Sequence, residues 1–163
     1  MELEIVRTSS PEDFQQVWPF FKEIVSDGDT YSFPMDCTYE LGKSLWYPEN
    51  GHTYLAKSGE DVVGSFYLKP NQPGLGSHVA NAGYMVNPKM HGKGIGRLMA
   101  EFSLNETRQL GYQAMQFNLV VSTNKNAIKL WEALGFKIIG TSPQSFRYKD
   151  SELVDAFIMH RFL

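Results

Sequence analysis

The sequence predicts an α/β chain of the α+β type, with a mixed, mostly antiparallel central sheet of about six to seven strands flanked by about four helices. Three observations predict it. Apolar residues recur every second residue in some segments and at helical spacing in others. Those segments follow one another in the order β-α-α-β-β-β-α-β-α-β-β. The 163 residues, 42% of them hydrophobic, suffice for one domain over 1–163 with a substantial core.

Residues 3–7, "LEIVR", read as the opening strand. A helix start follows, with Ser10 as N-cap, Pro11 in the first helical position and Asp13 three residues after the cap. Phe14, Val17, Trp18, Phe21, Ile24 and Val25 give that helix one apolar face, and Pro19 predicts a kink in it. Residues 26–34, "SDGDTYSFP", are rich in turn formers, and 38–46 read as a short helix. A hairpin over 53–68 turns near residues 58–61. After the loop "NQPGLGS" comes a strand over 78–86.

From Gly94 the period becomes helical, with Ile95, Leu98, Met99 and Phe102 on one face and Leu110–Gly111 as the stop. Residues 114–121 alternate: Met115, Phe117, Leu119 and Val121 on one face, Gln116, Asn118 and Val120 on the other. Ala127, Ile128, Leu130, Trp131 and Leu134 mark a last helix, which Gly135 ends. Residues 136–142 and 153–162 close the chain as strands.

Composition removes several classes of function. Net charge is −3 with acids and bases interleaved, so neither nucleic acid nor an anionic membrane is expected as partner. No apolar run approaches the roughly 20 residues of a membrane span. The first residues, "MELEIVRTSSPED", have neither the basic nor the apolar stretch of a signal peptide. The single cysteine, Cys37, forms no disulfide within the chain, and a reducing cytoplasm is the expected compartment. His52, His78 and His160 are scattered without metal-ligand spacing, so no metal is expected.

The most informative stretch is His91-Gly-Lys-Gly-Ile-Gly-Arg97, between a strand and a helix start. Free backbone N–H groups and the helix dipole favour an anion there. Gly92, Gly94 and Gly96 let a phosphate approach the main chain, while Lys93 and Arg97 add positive charge. The stretch is not a Walker loop, because the glycine spacing differs and no Ser or Thr follows. It is not a dinucleotide fingerprint either, since Arg97 stands where the third glycine belongs.

With its surroundings the loop resembles the GNAT superfamily of acetyl-CoA-dependent N-acetyltransferases. Val86-Asn-Pro88 followed by His91-Gly-Lys-Gly94-Ile-Gly96 resembles the superfamily's [QR]-x-x-G-x-[GA] signature after a strand ending in Val-x-Pro, with His91 in the first position. Residues 117–136, "FNLVVSTNKNAIKLWEALGF", match its N-x-x-A-x-x-[LF]-[YW]-x-x-[LF]-G-F block. Further stretches, among them "DGDTYSFP", "HVANAGYMV" and "LVDAFIMHRFL", are similar to a branch acetylating proline analogues such as azetidine-2-carboxylate.

The resemblance implies a GNAT fold whose sheet splays at the CoA site, with acetyl-CoA as co-substrate and a small-molecule amine as acceptor. It implies CoA contacts from Met85, Val86, His91, Gly92, Lys93, Gly94, Ile95, Gly96, Arg97, Asn124, Asn126 and Trp131. A backbone N–H near Met85–Val86 is expected to stabilise the oxyanion. Tyr31 and Phe33 are expected to wall the acceptor, with Asp27 or Asp29 toward its amine. Dimers are common in the superfamily, so a homodimer fits.

Three departures matter. His91 replaces the usual Gln or Arg. Asn81 stands where many members carry a Glu base, and Trp131 where many carry a Tyr acid. The expected chemistry is therefore transfer by positioning, with Asn81, Met85 and Asn118 as the catalytic candidates, Asn81 and Asn118 also holding the acceptor. Each residue has a plainer reading. Asn124 reads equally as a helix cap, Asn118 as a satisfied buried amide and Trp131 as core. Other acceptors (an antibiotic, a polyamine, a protein amine) and a non-catalytic acyl-CoA sensor remain alternatives to the small-amine reading.

Overall fold

The computed structural model describes residues 1–163. The chain runs through β1 (Glu4–Thr8), α1 (Trp18–Asp27), α2 (Tyr39–Trp46), β2 (His52–Ser58), β3 (Asp61–Pro70) and β4 (Val79–Val86). It continues through α3 (Ile95–Gln109), β5 (Ala114–Val121), α4 (Lys125–Ala133), β6 (Lys137–Tyr148) and β7 (Glu152–Phe162). The element order is the one the periodicity predicts, and the seven strands form one sheet in the order β1-β2-β3-β4-β5-β7-β6. Every neighbouring pair is antiparallel except β4–β5.

Two cores lie on the two faces of the sheet. Ile95, Met99 and Leu104 of α3 and Ile128 and Trp131 of α4 pack with Phe66, Ala80 and Met115 on one face. Phe20, Phe21 and Val25 of α1 and Trp46 of α2 pack with Leu55, Tyr67 and Met85 on the other. Alternation along β4 follows from this. Tyr84 packs toward the α3–α4 core and Met85 belongs to the α1–α2 core.

Three expectations need correction. The first helix is not one kinked helix: residues Pro11–Gln16 form a 3-10 turn, and α1 starts afresh at Trp18. Pro19 thus falls in the first turn of α1, where its missing N–H costs nothing. The Ser10 side chain makes no capping bond.

β5 does not alternate to its end. Its pairing with β7 shifts between Phe117 and Val120, and Val120 is buried while Asn118 is exposed and Leu119 is half-buried. A bulge of this kind inserts an extra residue and reverses the faces beyond it.

β6 is longer than the sequence suggests, running to Tyr148. Pro143 sits on the edge strand within a register shift between Ser142 and Phe146, where a missing donor is tolerated.

Candidate functional site

The parallel junction of β4 and β5 holds for two residue pairs only, Val79 with Ala114 and Ala80 with Met115. Beyond Ala80 the strands diverge. The gap opens into a cleft of about 800 Å³ that passes from the α3–α4 side of the sheet to the α1–α2 side.

The register of β3 and β4 decides which backbone groups face this gap. Asn87 N–H donates to Val63 C=O at 2.9 Å and Asn71 N–H donates to Val79 C=O at 2.8 Å. Antiparallel ladders alternate bonded and non-bonded pairs, so the odd residues of β4, Met85 included, turn their N–H toward β3. Tyr84 and Val86 turn theirs toward the gap. The donor expected near Met85–Val86 is thus available at Val86 and not at Met85, whose contribution to the cleft is its side chain.

The upper rim is the glycine loop. Gly92 and Gly94 have φ of 78° and 77°, the left-handed region that favours glycine, and a Cβ on either would project into open space. Gly94 caps α3 without a side-chain bond, so the first N–H groups of this 15-residue helix stay bare. Gly96 lies in the first turn of α3, where a Cβ would stand 3.7 Å from a Val86 methyl. His91, Gly92 and Gly96 line the cleft. The other loop residues differ. Lys93 is exposed with its Nζ 3.9 Å from the Met90 sulfur, Ile95 is buried in the core, and Arg97 is drawn along the helix to Glu101 at 2.8 Å.

Across the gap, Asn124 caps α4, its side chain accepting from Ala127 N–H at 3.3 Å. Asn126, Ala127, Leu130 and Trp131 continue that wall. Trp131 is 7% exposed and packs on Phe117, Tyr84 and Phe136 at centroid distances of 4.4, 4.9 and 5.4 Å. It is a core residue with one edge on the cleft.

The α1–α2 side is built from the loop after α1. Tyr31 and Phe33 stack on each other at 5.2 Å and line the cleft together with Asp27, Asp29 and Thr30. Tyr67 of β3 completes the wall by lying across Gly83, where any Cβ would meet the ring at 2.7 Å. A glycine inside a strand signals such an approach, but only the pairing of Gly83 with Tyr67 across β3–β4 identifies the ring. Burial raises the Tyr67 phenol to about 12, and burial also pushes Tyr31 and Tyr84 above the ordinary range. None of these tyrosines ionises near neutral pH.

The two expected asparagines are placed differently. Asn81 bridges the foot of the gap, donating from its amide to Gln116 C=O at 3.0 Å, which leaves its own carbonyl oxygen unused. Asn118 is exposed at the lip, not buried. Its amide donates to Asn71 at 2.7 Å and its oxygen accepts from Gln116 at 3.1 Å. Both line the cleft. No group of three or more metal-ligating side chains is present, and no helix is long and apolar enough to cross a membrane.

A family model described as acetyltransferase (GNAT) family matches residues 18–136. The N-acetyltransferase aca1 of Schizosaccharomyces pombe is 43% identical over 98 residues, 60% of this chain and 47% of that protein. The chain thus spans about half the length of this curated relative. A GCN5-related N-acetyltransferase from Kribbella flavida superposes with a TM-score of 0.91 at 39% identity, covering 99% of this chain and 98% of the other. The protein yncA of Salmonella typhimurium, solved with its cofactor acetyl-CoA, shares the fold at TM-score 0.86 and 19% identity, covering 100% of this chain and 95% of that one.

Proposed function

Since the chain belongs to the GNAT acetyltransferase family, its model matching 119 of 163 residues (18 to 136), we propose that it transfers the acetyl group of acetyl-CoA to the amine of a small acceptor, an amino acid or a proline analogue such as azetidine-2-carboxylate. The observation that carries this reading is the gap between β4 and β5, rimmed at one end by bare backbone and walled at the other by side chains. It is a single N-acetyltransferase domain over 1–163, acting in the cytoplasm on a small molecule, and a homodimer is compatible with it.

The residues fit the donor. Positive-φ glycines and the open first turn of α3 suit the pyrophosphate, with His91 beside them. Lys93 and Arg97 contribute field only, being turned outward. Asn124, Asn126 and the edge of Trp131 flank the arm. Val86 N–H, facing the gap, is the group placed to take the oxyanion, a donor worth about 3 kcal/mol in such sites. Acetyl-CoA supplies the thioester carbon at which the new bond forms.

Transfer joins the amine nitrogen to the acetyl carbon, breaks the carbon–sulfur bond and releases one amine proton. A thiol of pKa near 8.5 leaves as thiolate without a dedicated acid, so Trp131 in place of a tyrosine is tolerable. The proton passes to solvent by a water held at the free Asn81 oxygen. Holding both reactants in one gap supplies much of the rate. Asn81 and Asn118 offer amides to the acceptor's polar end, and Met85 shapes the floor from below.

Calorimetry with acetyl-CoA followed by free-thiol release against a panel of amines tests this. Binding and turnover with azetidine-2-carboxylate but not with polyamines is the expected result. Binding without turnover on any amine would leave only a sensor, and no binding would remove the reading entirely.

A further inference from the structure

The foot of the gap carries an unanswered charge. Alternation puts Tyr67 and Lys69 of β3 and Asn81 of β4 on the α1–α2 face of the sheet, and Lys69 pairs directly with Asn81. Side chains paired across an antiparallel ladder stand about 5 Å apart at Cβ. Lys69 is half-buried, and its ammonium lies 5.6 Å from the centre of the Tyr67 ring. The ion pairs of the chain join Lys43 to Glu12 and Glu40 and Arg97 to Glu101, so Lys69 has no carboxylate of its own. The lining of the cleft, for its part, contains no lysine or arginine.

Lys69 and Asn71 also line a second cavity, of about 500 Å³, beside the end of β3. Both reach back to the main cleft: Lys69 to the Tyr67 ring, and Asn71 by accepting from the Asn118 amide at 2.7 Å. Asn118 in turn accepts from Gln116 at 3.1 Å. This chain of amides ends on the Asn71 side-chain nitrogen, whose N–H groups have no partner within the protein. Glu49, the one acid lining the second cavity, is exposed and pairs with no cation. An unpaired ammonium beside unfilled amide donors is the chemistry that holds a carboxylate.

We infer that Lys69 and Asn71 bind the carboxylate of the acceptor, which makes α-amino acids the substrate class. The inference rests on the acetyl-transfer reading above and adds the acceptor's charge to it. Length supports it. The Tyr31 hydroxyl accepts from Tyr84 N–H at 2.8 Å and donates to Tyr84 C=O at 2.6 Å, so the acetyl oxygen belongs at Val86. The ring beneath the Lys69 ammonium lies across Gly83, three residues before Val86 and about 10 Å along the strand. That distance accommodates, end to end, the oxyanion bond, the acetyl carbon, the amine and carboxylate of an α-amino acid, and the ion pair. Lys69 and Asn71 offer the carboxylate only donors, so the water at the Asn81 oxygen keeps its place. The acids that line the cleft, Asp27 and Asp29, belong to the end of α1 and the loop after it, away from these donors in the chain.

The test is Lys69→Met, assayed with acceptors that differ in one charge: azetidine-2-carboxylate against azetidine-2-carboxamide, and alanine against alaninamide. In the unsubstituted protein the acid of each pair should have the lower KM. Lys69→Met should lower kcat/KM for the acid by roughly 10- to 100-fold, mainly through KM, and leave the carboxamide within a factor of about two. Added salt should raise the acid's KM in the unsubstituted protein and not in Lys69→Met. Acetyl-CoA affinity by calorimetry and the melting temperature should be kept. Equal losses for both members of a pair would make Lys69 a prop for the Tyr67 ring, and no loss for either would put the carboxylate elsewhere; each overturns the inference. Should Lys69→Met lose the fold, Asn71→Ala carries the test, and an acid-to-carboxamide ratio that it leaves unchanged would overturn the inference as well. An unsubstituted protein that acetylates amines yet has the lower KM for the carboxamides removes this inference alone. One that binds acetyl-CoA and acetylates no amine removes the transfer reading with it.

Discussion

The two ends of the gap are made of different material. The rim around Gly92, Gly94 and Gly96 is consecutive main chain, shaped by backbone angles and by an uncapped helix. The opposite wall is side chain from scattered places: Tyr31 and Phe33 from a loop, Tyr67 from β3, Asn81 from β4, Asn118 from β5. On the proposed reading, backbone serves the group a whole family shares, a phosphate, and so is written locally. On the same reading, side chains meeting across the fold serve the acceptor, and single substitutions can alter them.

If that division holds, mutations should sort by end, and the largest effect belongs to the core residue whose edge reaches the gap between them. Trp131→Ala removes a ring packed on Phe117, Tyr84 and Phe136, and should cost about 3–5 kcal/mol of stability. Denaturant melts would show it, and a near-neutral result would mean that the two walls are independent of the core between them. Next is Gly94→Val, which forces a β-branched residue to a φ of 77° in otherwise open space. Acetyl-CoA affinity should fall by roughly tenfold or more, with a stability cost of about 1–2 kcal/mol. Equal damage to acceptor binding with free CoA already bound would blur the division.

Asn81→Ala removes the amide that ties β4 to Gln116 C=O at the foot of the gap. It should raise the acceptor KM several-fold and lower stability by about 1 kcal/mol, leaving donor affinity within a factor of about two. The smallest effect lies away from both ends. Burial and then the Arg7 guanidinium hold His52 below its usual value. The folded protein therefore binds this proton less readily than the unfolded chain. His52's contribution to stability is complete above about pH 6.5 and drains away as pH falls through the lowered value. Urea midpoints at pH 7.5 and 5.5 should differ slightly more in the unsubstituted protein than in His52→Asn.

The same division explains what the sequence made legible. Glycines next to a helix start are neighbours in the chain, so the cradle could be read directly, as could the order of elements from the periods of two and 3.6. The β5 bulge could not, because Leu119 and Val120 are both apolar and only pairing with β7 reveals which faces the core. The reach of β6 past residue 142 could not be read either, because it depends on a register shift against β7 between Ser142 and Phe146. A backbone N–H was expected near Met85–Val86, but which of the two faces the gap depends on registry with β3. The bond between Tyr31 and Tyr84 spans two distant segments, and no local pattern announces it.

The loop that carries Tyr31 is also pinned from outside the gap. Lys149, at the tip of the β6–β7 hairpin, donates its N–H to Gly28 C=O at 2.8 Å. Gly28 is left-handed at φ 68°, and a Cβ there would stand 3.3 Å from Lys149 Cα. During synthesis the residues of this loop emerge early and their clasp emerges almost last. The wall that carries Tyr31 is thus complete only once the final hairpin has formed, long after its own residues have left the ribosome.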